Sequence, residues 1–369
     1  MKIVVAGDFA PGYRIADLIE ENNYQTCFKQ VRDITLASDY AIVNLECPIV
    51  KGEAKAIEKC GPNLKCTPKA AEVLKYAGFN GVTLANNHIY DFGEIGLRDT
   101  LGTLKANEID YVGGGENISA ANNILYKTIK GKILAIINCC EHEFSIATEN
   151  SGGANPINPI QQYYTIQTAR EKADFVLVIT HGGVENYQLP TPRMQELYRF
   201  YIDSGADAVI NHHQHCYSGY EYYHQKPIVY GLGNFCFDEP QRNKPWNYGY
   251  MVEIDLSGEP TINLIPYSQC NDEPIIEVLK DKTEFEKQIM DLNDIIVDKA
   301  QLQSHFSQLL KDGEKIYQLC TEPYNNRLTS GLYVRHFLPS FVRHKKMRLL
   351  DYVMCESHAE RLIHAIRKL

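Results

Sequence analysis

Five short runs of Val, Ile and Leu in this chain each end on side chains that bind metal ions. They stop at Val5-Ala-Gly-Asp8, Val43-Asn-Leu-Glu46, Leu84-Ala-Asn-Asn-His88, Ile179-Thr-His181 and Asn211-His-His-Gln-His215. A continuous apolar run with no alternating polar face reads as a strand buried on both sides, which restricts the chain to an α/β core. Further strands are expected at Lys132–Asn138 and Pro227–Tyr230, and helices at Gln25–Ala37, Lys69–Ala77, Leu97–Ala106 and Arg193–Ser204. This βαβα rhythm stacks helices on the sheets. Gly249–Leu256 and Thr261–Tyr267, joined at Ser257-Gly258, read as a closing hairpin, and the polar stretch Glu141–Pro159 as a long loop near the site. Beyond about residue 272 the composition shifts to helical periodicity rich in Lys, Glu, Asp and Gln, with basic helix again over Arg335–Leu369. The expected domains are therefore 1–270 and a helical C-terminal region, 271–369.

Carboxylate, amide and imidazole donors gathered from separate strand ends form a cage for one or two divalent ions. Each segment has a plainer explanation alone: Asp8 as a helix N-cap, Glu46 as a salt-bridged strand end, Asn86-Asn87-His88 as an ordinary turn. Five in succession on the same kind of element favour the cage. Its ligands are expected to be Asp8, Glu46, Asn87, His181, His213 and His215. His213 and His215 share one side of an extended segment, with His212 facing away. His88 is free to act on substrate as an acid, oriented by Asp91 three residues on. Glu185, Lys65 and Arg14 are candidate substrate contacts.

The net charge of −9 argues against a general nucleic-acid binder, whose phosphate contacts need a basic surface. Eleven cysteines without CxxC spacing read as reduced thiols rather than a disulfide framework. Met1-Lys2 runs directly into Ile-Val-Val, and no apolar run approaches the roughly 18 residues of a membrane span. A cytoplasmic protein is expected.

The stretches Leu84-Ala-Asn-Asn-His-Ile-Tyr-Asp-Phe-Gly93, Asn211-His-His-Gln-His-Cys-Tyr-Ser-Gly-Tyr-Glu221 and Tyr230-Gly-Leu-Gly-Asn-Phe-Cys-Phe-Asp238, in this order, resemble the CapA family of capsule and poly-γ-glutamate synthesis proteins, a branch of the calcineurin-like metallophosphoesterase superfamily. The resemblance covers residues 1–240. It implies a four-layer αββα sandwich, here with a C-terminal helical extension. In the superfamily's pattern Asp8, Asn87-His88, His181, His213 and His215 fall on ligand positions. Glu46 stands where a bridging aspartate is usual, and Ala10 where a histidine would follow the first aspartate. The resemblance implies a metal-dependent hydrolase using one or two ions (Mn, Zn or Fe). Its substrate would be anionic or glycan-type, and other capsule-synthesis proteins would be its partners. Two alternatives stay open: a non-catalytic assembly factor with a vestigial metal site, and a hydrolase of γ-glutamyl amides.

Overall fold

The computed structural model describes residues 1–239, 245–321, 332, 337, 345–366 and 368. The start of the helix expected from Arg335 lies outside the described residues. Two sheets dominate. The first has the strand order Ile276–Val278, Thr261–Gln269, Tyr248–Asp255, Lys2–Phe9, Tyr40–Leu45, Gly81–Thr83 and Asp110–Val112, with Asn234–Cys236 pairing with the end of Lys2–Phe9. The second has the order Tyr220–Tyr223, Lys226–Val229, Ala208–His212, Phe175–His181, Lys132–Cys140 and Leu125–Ile129. Four neighbouring strands in each sheet run parallel, and antiparallel strands close one edge of the first sheet and both edges of the second.

Successive side chains of a strand point to opposite faces, so one strand feeds two cores. Ile3 and Val5 meet Ile136, Leu177, Ile179 and Ile210 in the layer between the sheets. Val4 and Ala6, the alternate positions, pack under Ile15, Ile19 and Phe28 of the helices outside the first sheet. Val176 and Val178 likewise pack under Tyr198 and Tyr201 of the helix Pro192–Asp203. Helix, sheet, sheet and helix form the four-layer αββα sandwich. The hairpin expected near 250–267 is the antiparallel pair Tyr248–Asp255 and Thr261–Gln269.

The chain beyond residue 270 packs on this body. Ile276–Val278 extends the first sheet. The helix Thr283–Val297 inserts Phe285 and Ile289 into the core between the sheets and Ile296 into the outer one. The helices Lys299–Thr321, Lys346–Met354 and Glu356–Ile366 follow. No helix among the described residues is long and apolar enough to cross a membrane.

Parallel strands bring their carboxyl ends to one edge, the usual place for a ligand in an open α/β sheet. Two devices fix that edge here. Gly7, before Asp8, approaches Gly233 so closely that a Cβ would lie 1.9 Å from its carbonyl oxygen. At this point the pairing of Lys2–Phe9 with Tyr40–Leu45 slips register, which re-aims Asp8. Between the sheets, His212 Nε2 lies 2.9 Å from the carbonyl of Ala6 and joins the two edges.

Candidate metal centre

Each strand end brings its polar residue to the same place. Glu46, His181 and His213 each offer a donor atom, all within 4.8 Å of one another, and so do Asp8, Glu46 and His215. Glu46 belongs to both groups. All five side chains are buried. Asn87 joins them through its Oδ1, 3.0 Å from His181 Nε2. The six residues named as ligands from sequence therefore converge on one buried pocket.

Their surroundings fix them. Asn44 donates to Asp8 Oδ1 at 2.8 Å, and its own carbonyl oxygen accepts from Thr83 and Asn86. His215 Nδ1 lies 2.9 Å from Asn234 Oδ1, an acceptor, so Nδ1 carries the ring proton and Nε2 is free to bind a cation. Tyr198 and Asn211 tie the strand end before His213 to the outer helix, which Thr191 caps ahead of Pro192.

The segment that carries the last two histidines is not extended. His213 and His215 both take positive φ, 93° and 56°. The chain bends sharply after the strand Ala208–His212, and the two rings converge through left-handed backbone. That conformation is uncommon away from glycine and is found at sites where geometry is over-determined. His212, the last residue of the strand, faces Ala6 instead.

The electrostatics fit a cation. Burial, then the carboxylate of Asp8, pushes the Glu46 carboxyl well above its usual range. Neither Glu46 oxygen has a hydrogen-bond partner among the described residues. A buried carboxylate without donors is costly, and a bound divalent cation would remove that cost. Burial and the neighbouring imidazoles hold His181 well below the ordinary imidazole value, and burial also lowers His213. Neutral rings are the metal-binding form.

His88 sits beside the cage. Its Nδ1 is 2.7 Å from Asp91 Oδ2, the dyad expected from their spacing. The buried ammonium of Lys59 lies 2.5 Å from the other Asp91 oxygen and 3.0 Å from His88 Nδ1. Burial and Lys59 lower the His88 pKa against the opposing pull of Asp91. Glu185 lies in the loop after the strand Phe175–His181, with its surface open to solvent but protein mass around its carboxyl. That desolvation opposes its ionisation, but the nearby His215, His213, His358 and His88 hold it below the usual carboxylate range.

Arg14 and Lys65 are engaged with other partners. Arg14 is spent on Asp238, at 2.7 Å, and on the carbonyls of Cys270, Asn271 and Asp272, so it clamps two loops of the first sheet. Lys65 sits over the ring of Phe92 and lines a separate cavity with Glu20, Lys51 and Thr67.

Lys59, Asn234 and Glu143 reach the pocket without a sequence signal that marks them. Lys59 comes from an irregular stretch and Glu143 from the loop after the strand Lys132–Cys140. Asn234 falls within the stretch Tyr230–Asp238 that carries the resemblance, with no role of its own expected there.

The chain is similar in sequence to known capsule-synthesis proteins. Capsule biosynthesis protein CapA of Bacillus anthracis is 32% identical over 247 residues, 65% of this chain and 60% of that protein. PGA biosynthesis protein CapA of Bacillus subtilis (strain 168) is 32% identical over 238 residues, 63% and 62%. The match thus spans about three fifths of these relatives' length. A solved 5'-nucleotidase precursor from Thermus thermophilus overlays with a TM-score of 0.44 at 10% identity, covering 83% of this chain and 59% of that one; the layers described above, not this overlay, carry the fold assignment. The model of the family described as bacterial capsule synthesis protein PGA_cap matches residues 2–239, well over half of the chain, and the chain belongs to that family.

Proposed function

We propose that this protein is a metal-dependent hydrolase of phosphoester-type anionic substrates, working in capsule or poly-glutamate synthesis. The observation that carries this reading is Glu46: a fully buried carboxylate with no donor to either oxygen among the described residues, shared between two groups of ligand atoms. Asp8, Glu46 and His215 would hold one divalent ion, and Glu46, His181 and His213 a second, with Asn87 beside His181. Ions held there supply Lewis-acid chemistry for hydrolysis.

The remaining steps belong to the chain's own groups. Asp91 accepts from His88 Nδ1, so the neutral ring leaves Nε2 as its acceptor atom. Burial and Lys59 keep the resting ring neutral. An anionic substrate beside it raises the ring's proton affinity; Nε2 takes up a proton from solvent, and the imidazolium so formed gives that proton to a leaving oxygen and returns to the neutral ring. Glu185 orients the approaching substrate. The capsule or poly-glutamate setting is supported by the family and by the relatives named for it. The C-terminal region, 271–369, is read as an accessory part of the same protein.

The test is turnover of an activated and a poor phosphodiester by the full chain with Mn²⁺. Wild type should hydrolyse both. His88→Ala should keep its metal and its fold and lose roughly 10²–10⁴-fold in rate, more for the poor leaving group. A wild type that binds metal yet hydrolyses neither ester excludes the phosphoesterase reading and leaves a binding role in assembly, or amide hydrolysis, as the alternatives. Loss of metal in His88→Ala makes His88 a ligand.

A further inference from the structure

Asp91 is held by more than the histidine it faces. It is fully buried, and the donors it receives besides His88 all come from one irregular stretch, residues 57–64. The Asp91 carbonyl accepts from the backbone N–H of Ile57 at 2.9 Å and from Asn63 Nδ2 at 3.3 Å. In the carboxylate, Oδ2 accepts from the backbone N–H of Leu64 at 2.7 Å, and Oδ1 from Lys59 Nζ at 2.5 Å. The stretch is a strap closed on a single residue, through that residue's main chain and side chain alike.

Lys59 is the charged member of the strap. Its side chain is 3% exposed, so its ammonium spends its protons inside the protein. Three acceptors stand within reach: Asp91 Oδ1, the carbonyl of Asn87 at 3.4 Å and His88 Nδ1 at 3.0 Å. The last cannot accept from Lys59 while it donates to Asp91. His88 Nδ1 lies closer to Asp91 Oδ2, at 2.7 Å, and that acceptor is ionised, so the ring proton belongs on Nδ1. Lys59 is then turned on Oδ1 and the Asn87 carbonyl. A carboxylate that pivots about its Cβ–Cγ bond exchanges its two oxygens. With Lys59 on one and Leu64 on the other, Asp91 is held from pivoting. Without Lys59, Oδ1 becomes a buried anionic oxygen with no donor among the described residues, and the ring loses its reason to keep the proton on one nitrogen.

We propose that Lys59 is a positioning residue for His88: it acts through Asp91, holding the carboxylate so that the neutral ring keeps its proton on Nδ1 and presents Nε2 to the leaving oxygen. The consequence for turnover rests on the phosphoesterase reading given above; the consequence for the ring's tautomer does not.

Both consequences are measured on the full chain. A long-range proton–nitrogen spectrum of the histidine rings, taken in chelator above pH ~8 where imidazoles are neutral, reads the tautomer; the His88 signals are those lost in His88→Ala. Wild type should carry the His88 proton on Nδ1. Lys59→Met removes the charge and keeps an apolar stem, and it should shift the ring toward the Nε2-protonated tautomer. In turnover with Mn²⁺, Lys59→Met should keep wild-type metal content and KM. It should lose about 10²-fold in kcat on the poor phosphodiester, as expected of a misplaced acid, and less on the activated one. In a His88→Ala background the same substitution should cost nothing further. Lys59→Gln, which keeps a neutral donor, should show the same changes to a smaller degree, and it carries the test if Lys59→Met does not fold. A wild-type ring protonated on Nε2 overturns the proposal. So does an unchanged tautomer, an unchanged kcat or a loss of metal in Lys59→Met, or a loss that adds in full to that of His88→Ala. A wild type that turns over neither ester removes the phosphoesterase reading and leaves the spectrum to decide the role of Lys59.

Discussion

Glu46 and Glu141 are both buried carboxylates just past the end of a parallel strand, one in each sheet, and they differ in their partners. Glu141 receives a guanidinium, a hydroxyl and a backbone N–H. Glu46 receives no hydrogen bond among the described residues. The first is a completed ion-pair network that locks a loop to two helices. The second, on the metal reading proposed above, is half of an interaction whose other half would be a cation from solution. Burial alone does not distinguish a functional carboxylate from a structural one; the count of donors does.

The comparison breaks most visibly if the two are mutated. Glu141→Ala strips Arg193 of its best partner inside the protein and releases the 141–143 loop. Removal of one member of a buried pair costs about 3–5 kcal/mol, and the account expects a loss at the lower end, because Arg193 keeps Glu360. Urea unfolding measures it. A change under about 1 kcal/mol would place Glu141 among ordinary surface pairs.

Glu46→Gln should act in the opposite direction in the metal-free protein. It removes an ionisable group that the fold buries without donors, and stability at neutral pH should rise by about 1–3 kcal/mol. The gain should grow with pH. A carboxyl whose folded pKa is raised contributes stability below its unfolded value, about 4.3, and that contribution is lost as pH climbs through the folded one. Thermal melts in chelator at several pH values give the slope. A flat difference between the two proteins would mean that Glu46 already has a partner.

The smallest effect sharpens the other side. His142 is held above its usual pKa chiefly by its hydrogen bond to Glu356, against burial. Its contribution is therefore full below about pH 6.5 and is lost as pH rises through the raised value. Glu356 is held below its usual range by His142, again against burial, so the pair also fails in acid as Glu356 takes up a proton. The melting difference between wild type and Glu356→Gln should be larger near pH ~6 than near pH ~9. Because His142 is partly exposed, the shift should be modest. Equal differences at both pH values would show that this pair does not anchor the helix.

Much of the body was legible because its signals are local. An apolar run long enough for a buried strand, then a helix with its own stop, repeats along the first 230 residues, and the strands at Lys2–Phe9, Tyr40–Leu45 and Phe175–His181 follow from it. The candidate ligands could be named because strand ends concentrate them. What was not legible depends on distant contacts. Lys59 reaches Asp91 and His88 from an irregular stretch with no periodicity. The loop that carries Glu143 and the helix Glu356–Ile366 meet across more than two hundred residues. Arg14 looked available to a substrate because a sequence does not display the carbonyls that surround it. The bend at His213 and His215 departs from the expected extended segment because Asn and His tolerate positive φ without requiring it; the packing around the two rings selects it.

Whether divalent cations complete Glu46 is decided by a thermal melt of wild type and Glu46→Gln with and without Mn²⁺. At a free Mn²⁺ concentration about 100 times Kd, the account predicts a wild type stabilised by about 2.7 kcal/mol over its chelated form. Glu46→Gln should show little or no response, yet melt higher than wild type when both are chelated. A Glu46→Gln protein that gains as much from Mn²⁺ as wild type would contradict the account.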